Sequence, residues 1–493
     1  MSPVESSPPA SPTPAPAAPP TPAPVDMVDR SCRWPVMILV ALATGWLVTA
    51  GILAVLAAVK LHAPGMLANY AWLTYGRVQP AAWNAFVFGF ASLAGLAMAL
   101  WMTARLSGAP LRGGGYIILG GFVWHAGVKL GLLGILAGET TGFEGLELPP
   151  FTVPILLAGY LLIAPWTLLT FARRARPESY ISQWHLIAAL LVFPWVFVAG
   201  HLAVSYLPLR GVLQAAAQAW YLQNLHVLWL GFLGLAAVFY FVPKITGAAV
   251  PSRSLALFGF WTLTVFGGLA GMTRYSGGPF PAWMTSLAVV AGVLTLFPVY
   301  AVAVNLGSAL RGQAARVRGS VVLWFIVFAW LAFVAGGVLA AVNSLASVRE
   351  ITQFTLFTPG LDQLTVLGVC GMALQGALYF IVPRLLGVPW PAPLLARLHF
   401  FLAAAAVLVL AVAFLAGGVA QGLALNNPDL GFIQVVGRYL PFAATGTLAH
   451  LLWLGGAALF AVNLILALVV CGRRAAQPAV RALWTPAPTE VEA

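Results

Sequence analysis

Again and again along its 493 residues, the chain runs apolar for long enough to cross about 30 Å of hydrocarbon, with only short polar breaks between runs. No other feature constrains the fold so strongly. In lipid such a segment must close its own backbone hydrogen bonds, so each is a helix, and a series of them is an all-α polytopic membrane protein of about twelve transmembrane helices. The expected spans are 35–60, 80–104, 115–137, 152–173, 183–206, 219–243, 253–273, 282–306, 318–343, 361–384, 397–419 and 439–470. The breaks carry turn chemistry, as at Pro64-Gly65, Pro149-Pro150 and Pro251. Charge agrees: 7% of residues are Asp, Glu, Lys or Arg, against about a quarter in a soluble domain. That is too few to clothe a water-facing surface, and the partner such a surface requires is membrane lipid.

The flanks differ. Residues 1–33 are dominated by Pro, Ala, Ser and Thr and read as a disordered tail; 34–471 form the twelve-helix membrane domain; 472–493 are a second short tail. The start lacks the basic-then-apolar order of a signal peptide. A net charge of +12 does not indicate nucleic acid, because the basic residues lie in small clusters between apolar runs. Of 24 Lys and Arg, seventeen fall on one side of the expected topology, six (Lys60, Arg77, Arg210, Arg274, Arg349 and Arg438) on the other, and Lys129 within a span. The bias places both termini in the cytoplasm. Cys32, Cys370 and Cys471 are far apart, without the spacing of a disulfide framework, a zinc ribbon or covalently attached haem.

One segment echoes another. Tyr240-Phe-Val-Pro-Lys-Ile-Thr-Gly247 ends the sixth span and Tyr379-Phe-Ile-Val-Pro-Arg-Leu-Leu-Gly387 the tenth. Proline is expected to stop each helix, a basic side chain to meet the headgroups, and glycine to turn the chain. Either copy alone is a generic helix end; two copies four helices apart suggest an internally repeated bundle.

Between about residues 36 and 470 the chain resembles subunit I of the haem–copper oxidases, most closely the C-type (cbb-type) branch and the nitric oxide reductase large subunit. The resemblance is carried in order by Trp72-Leu-Thr-Tyr-Gly-Arg-Val-Gln-Pro80, Gly142-Phe-Glu-Gly-Leu-Glu147, Tyr180-Ile-Ser-Gln-Trp184, Gly376-Ala-Leu-Tyr-Phe-Ile-Val-Pro-Arg384, His399-Phe-Phe and Ala416-Gly-Gly-Val-Ala-Gln-Gly422. It implies twelve helices around two haems and a copper, a bacterial inner membrane, and respiratory partners such as a c-type cytochrome subunit. It also implies six imidazole ligands: one on the second helix, one on the sixth, an adjacent pair on the seventh and two on the tenth. The positions that match them hold Ala82, Gln223 or Asn224, Thr273 with Arg274, and Leu361 with Gln363; a redox tyrosine falls near Gly267. None of these residue types replaces a neutral imidazole on iron or copper. Spans two, seven and ten contain no histidine. No haem or copper is therefore expected, although the family reading by itself would supply both.

Seven histidines remain, and most read as hydrogen-bonded interior residues. His226 lies within a turn of the sixth-helix position. His125 and Lys129, four apart, share a face of the third span. An ammonium at that depth calls for a carboxylate or a wet cavity, and Glu139, Glu144 and Glu147 are the nearest acids in sequence. Arg274 calls for an acid or amide such as Asp362, Gln363 or Asn224. None of the twelve acids lies in mid-span, so a carboxylate relay across the bilayer has no carriers. The function that follows is a degenerate, non-catalytic, partner-binding scaffold on the oxidase plan. The alternatives are a working terminal oxidase or nitric oxide reductase with displaced ligands, and a transporter or channel reusing the bundle.

Overall fold

Apolar on every face, three of the helices can be satisfied only at the centre of a bundle, and the structure puts them there. A computed structural model of the protein describes residues 23–175, 178–207 and 209–484, with side chains described to residue 474. Among the described residues twelve helices are long and apolar enough to cross a membrane, and there is no strand. They are, in order, Val25–His62, Tyr75–Ser107, Gly114–Ala137, Pro150–Ala172, Ile181–Tyr206, Val212–Thr246, Arg253–Tyr275, Ala282–Leu310, Val321–Asn343, Phe357–Leu386, Pro393–Leu425 and Phe432–Arg474. The central stretches of the second, sixth and tenth are 94–100% buried inside the protein, against 33–56% for the other nine. Three helices thus form a core, and nine surround it with one face left to lipid.

These three are built alike. Each switches after its first segment to a π-helical stretch, Ala85–Ala91, Leu225–Gly231 and Leu364–Gly371, and returns to α-helix. An amide residue precedes each stretch: Asn84, Asn224 and Gln363. Widening the helix releases carbonyls from the i→i−4 ladder. Asn84 Nδ2 donates to Pro80 O at 2.9 Å and Asn224 Nδ2 to Trp220 O at 2.7 Å, so two of the amides satisfy carbonyls there.

The helix ends reveal a third copy of the echo. Gly108, Gly247 and Gly387 all adopt the left-handed backbone (φ 62°, 71° and 68°). Gly247 N and Gly387 N donate to Pro243 O and Pro383 O, and Gly108 N donates likewise to Ala104 O, four residues back each time. After the Ala or Pro comes Arg105, Lys244 or Arg384, and three residues before it Trp101, Tyr240 or Phe380. Trp101 lies 5.9 Å from both Tyr240 and Phe380, centroid to centroid, so the repeats meet ring against ring at the axis of the bundle. Proline does not stop these helices, contrary to expectation. Pro243 and Pro383 sit inside the last turn, and glycine ends it by reaching φ > 0 without a Cβ clash.

The two largest departures from the expected boundaries lie at the outer ends of the first and last helices. The first helix begins at Val25, ten residues before the expected 35, because polar contacts fasten its first turns to the end of the second. Asp29 accepts from Trp101 Nε1 at 3.0 Å and pairs with Arg105 at 3.4 Å, Ser31 Oγ accepts from Leu111 N, and Arg33 donates to Leu385 O. The last helix runs Phe432–Trp484, past the expected 470. Of the two tails, residues 1–22 and 485–493 lie outside the described residues.

Candidate functional site

On the side of the bundle opposite the first helix's start, the positions singled out by the resemblance gather around two small cavities. The first, about 160 Å3, lies among spans one, two, ten, eleven and twelve. Ala82 and Gln363 both face it, with Trp83, Phe86, Trp453 and His450. His450 is held by Nδ1 against Gly446 O at 2.7 Å. The second cavity, about 130 Å3, is lined by Gln223, His226, Thr273, Arg274, Leu361 and Asp362, and by Ser344, Arg349, Thr358 and Thr365. Asp362 borders both. Trp83 stands between them, its ring 6.0 Å from that of His226.

Of the two residues that could match the sixth-helix position, Gln223 lines the second cavity and Asn224 does not. Asn224 turns to backbone, donating to Gly268 O at 3.2 Å, while Gln223 Nε2 donates to Gly267 O at 2.8 Å. These two carbonyls belong to the disrupted end of the seventh span, where π-helical Leu263–Gly267 gives way to the 3-10 turn Ala270–Tyr275. Thr273 bonds its own turn, to Ala270 O.

Charge concentrates on one residue. Arg274 Nη2 donates to both carboxylate oxygens of Asp362, at 2.7 and 2.8 Å, and Nη1 lies 3.9 Å from Glu144. His226 Nδ1 is 3.5 Å from Asp362, and its Nε2 is buried without a partner among the described residues. Gln363 and Asn224, the other partners considered for Arg274, do not bond it. Sequence reasoning passed over Arg349, Ser344, Thr358 and Thr365. Arg349 had a signal, a cation at a span end, but it was absorbed into the charge bias.

The acidic loop docks over this region. Asn84 Nδ2 donates to Glu147 Oε2 at 3.0 Å, and Gln218 Nε2 to Glu144 O at 3.1 Å. Glu147 is buried, and burial raises its carboxyl to about 7 in spite of the Asn84 amide and backbone N–H groups that donate to it. Neither Glu144 nor Glu147 reaches Lys129, which contradicts the expected pairing. Lys129 lies on the exposed face of its helix, with no ion pair among the described residues, while His125 turns inward to accept from Trp46 Nε1 at 3.1 Å. Lys129 is two turns, about 12 Å, from the end of its span. A four-carbon stem does not span that distance, so Lys129 stays on the outward face of the bundle without the internal acid that was expected.

A polytopic bundle of twelve apolar helices, three of them buried at its centre, is consistent with the plan of a haem–copper oxidase core subunit. Residues 35–461 match the family described as Cytochrome C and Quinol oxidase polypeptide I, and the chain belongs to that family. It is similar to the cytochrome c oxidase subunit 1 of Rhodobacter capsulatus (27% identity over 85% of this chain and 82% of the relative). It is likewise similar to a cytochrome c oxidase subunit 1 homologue of Agrobacterium tumefaciens (26%; 86% and 81%) and to a cbb3-type cytochrome c oxidase subunit of Stutzerimonas stutzeri (26%; 84% and 89%).

The residues present do not fit the metals implied by the resemblance. Ala82 and Leu361 offer no donor atom, Gln363 and Gln223 offer amides, Thr273 a hydroxyl, and Arg274 a cation without a lone pair. His450 and His226 each stand alone on their cavity, where a low-spin haem takes two imidazoles and the copper three. Among the described residues no three His, Cys, Asp or Glu side chains come together in a way that could hold a metal ion.

Proposed function

We propose that this chain is a degenerate member of its family: a multi-pass bundle that keeps the oxidase architecture to bind partner subunits and does not reduce oxygen. The Arg274–Asp362 pair carries this reading. It lies where the resemblance implies a copper ion, and a guanidinium there stays protonated at any accessible pH. A copper ion within a few ångströms would be repelled in a low-dielectric interior. The seven positions Ala82, Gln223, Asn224, Thr273, Arg274, Leu361 and Gln363 then stand around two small cavities in place of metal ligands. Lys129 supports the partner-binding half of the reading. A cation presented outward from a span is a ready contact for a carboxylate on a neighbouring transmembrane helix, as a companion respiratory subunit could supply.

The direct test is oxygen uptake by the purified full chain with reduced cytochrome c as donor. The reading predicts none above a protein-free control, and none in Arg274→His, because the other five imidazoles are also missing. Turnover by the unmodified chain would favour the alternative of a working oxidase or nitric oxide reductase whose ligands lie elsewhere.

A further inference from the structure

Arg349 is a strongly basic side chain on the second cavity that forms no ion pair among the described residues. It sits on the short helix Ala346–Thr352, only 5% exposed. Its Nε is buried without a partner, and its guanidinium makes no hydrogen bond or ion pair to any described residue. The side chain lines the second cavity, facing Arg274 across it. Burial first, and then repulsion from Arg274, pull its pKa down to about 10 against a smaller attraction from Asp362, which still leaves it charged at neutral pH. A buried guanidinium N–H without a hydrogen bond is costly, so it calls for an acceptor.

The protein's own acids do not supply one. Asp362 is engaged by both of its oxygens with Arg274. Glu144 is nearer Arg274 and more than half exposed. The cavity wall is instead rich in small polar groups: Ser344, Thr273, Thr358 and Thr365. Its volume, about 130 Å3, is far below the roughly 300–1,000 Å3 of pockets for drug-sized ligands. We infer that this cavity binds a small monovalent inorganic anion, a halide or a planar oxyanion such as nitrate, held by Arg349 and by Thr358, the hydroxyl on this wall that does not already donate to backbone. One guanidinium without an ion pair among the described residues sets the valence, and the space sets the size. The inference rests on the preceding reading that no copper occupies this region.

Purified full-length protein in detergent is titrated with sodium nitrate, and separately with sodium bromide, against gluconate at constant ionic strength. The melting temperature and the copper content are read on the same preparation. The expected result is a saturable rise in melting temperature, displaced at least tenfold to higher concentration in Arg349→Gln and less in Arg349→Lys. A rise that does not saturate, or that is unchanged in Arg349→Gln, overturns the anion site. If Arg349→Gln does not fold, anomalous diffraction from bromide-grown crystals of the unmodified protein decides: a peak within hydrogen-bonding reach of Arg349 supports the site, and its absence overturns it. Stoichiometric copper would instead overturn the reading beneath it, whereas copper-free protein that ignores both anions defeats this inference alone.

Discussion

Removing Asp362 should do more damage than removing its partner. The Asp362–Arg274 pair is bidentate, with side chains 20% and 13% exposed, so it counts as a mostly buried ion pair. Breaking such a pair from one side costs about 3–5 kcal/mol, because the surviving charge is left without compensation. In Asp362→Leu the survivor is Arg274, with only the exposed Glu144 at 3.9 Å and with Arg349 across the cavity as an added repulsion. We expect a loss of about 3 kcal/mol, the low end because a fifth of the carboxylate side chain is exposed. In Arg274→Met the survivor is Asp362, which keeps His226 beside it at 3.5 Å, so the loss should be smaller. Joining the two substitutions leaves neither charge, and apolar replacements of buried pairs are often neutral or better. Equilibrium unfolding of all four proteins in mixed detergent micelles gives the cycle. The double variant should recover roughly 2 kcal/mol or more relative to the sum of the singles. Strict additivity, or an Asp362→Leu protein within about 0.5 kcal/mol of the parent, would show that the pair does not hold this region together.

Three further outcomes follow from single residues. Glu147 titrates at about 7 in the fold against 4.5 as a free side chain, so the unfolded chain releases this proton first. Stability should therefore fall as pH rises from 4.5 to 7, by about 3 kcal/mol, and Glu147→Gln should flatten that slope; melting curves across this range check both. Gly422→Ala would place a Cβ 1.7 Å from the Ile351 carbonyl oxygen, which is backbone and cannot swing aside. A loss of at least about 3 kcal/mol, or failure to fold, is expected in expression and size-exclusion assays, and a normal yield contradicts the packing. Lys129→Leu should raise the melting temperature of the isolated chain, because an exposed ammonium at helix depth costs up to about 2.5–3.5 kcal/mol on insertion scales; a lower melting temperature would mean that the ammonium has an internal partner.

The helices were legible because lipid leaves the chain few options, and a 20-residue apolar run declares itself without tertiary context. Their ends were not. The first ten residues of the opening helix are held by Asp29, Ser31 and Arg33 through contacts with Trp101, Leu111 and Leu385, which no local pattern announces. The repeat was read twice because Pro243 and Pro383 drew attention, and missed a third time because Ala104 occupies the equivalent place; the basic residue and the glycine three later were the better signal. The Ala416–Gly422 segment was recognised as a pattern, but its reason is spatial. Gly418 and Gly422 let their helix press against the backbone of Phe357 and Ile351, and Gln421 accepts from Leu356 N at 2.9 Å. At the cavities, the choice between Gln223 and Asn224 depended on the carbonyls of Gly267 and Gly268, which only the distorted seventh span brings within reach. Arg349 was counted as a charge at the end of a span, and burial is what gives it meaning.

Cofactor content tests the central claim most directly. Pyridine haemochrome spectra and metal analysis of the purified full-length polypeptide measure iron and copper per chain. With Ala82, Leu361 and Gln363 where axial imidazoles are implied, and Arg274 where copper is implied, the prediction is no stoichiometric haem, no sharp reduced α band and no stoichiometric copper. One or two haems per chain with that band, or one copper, would contradict it.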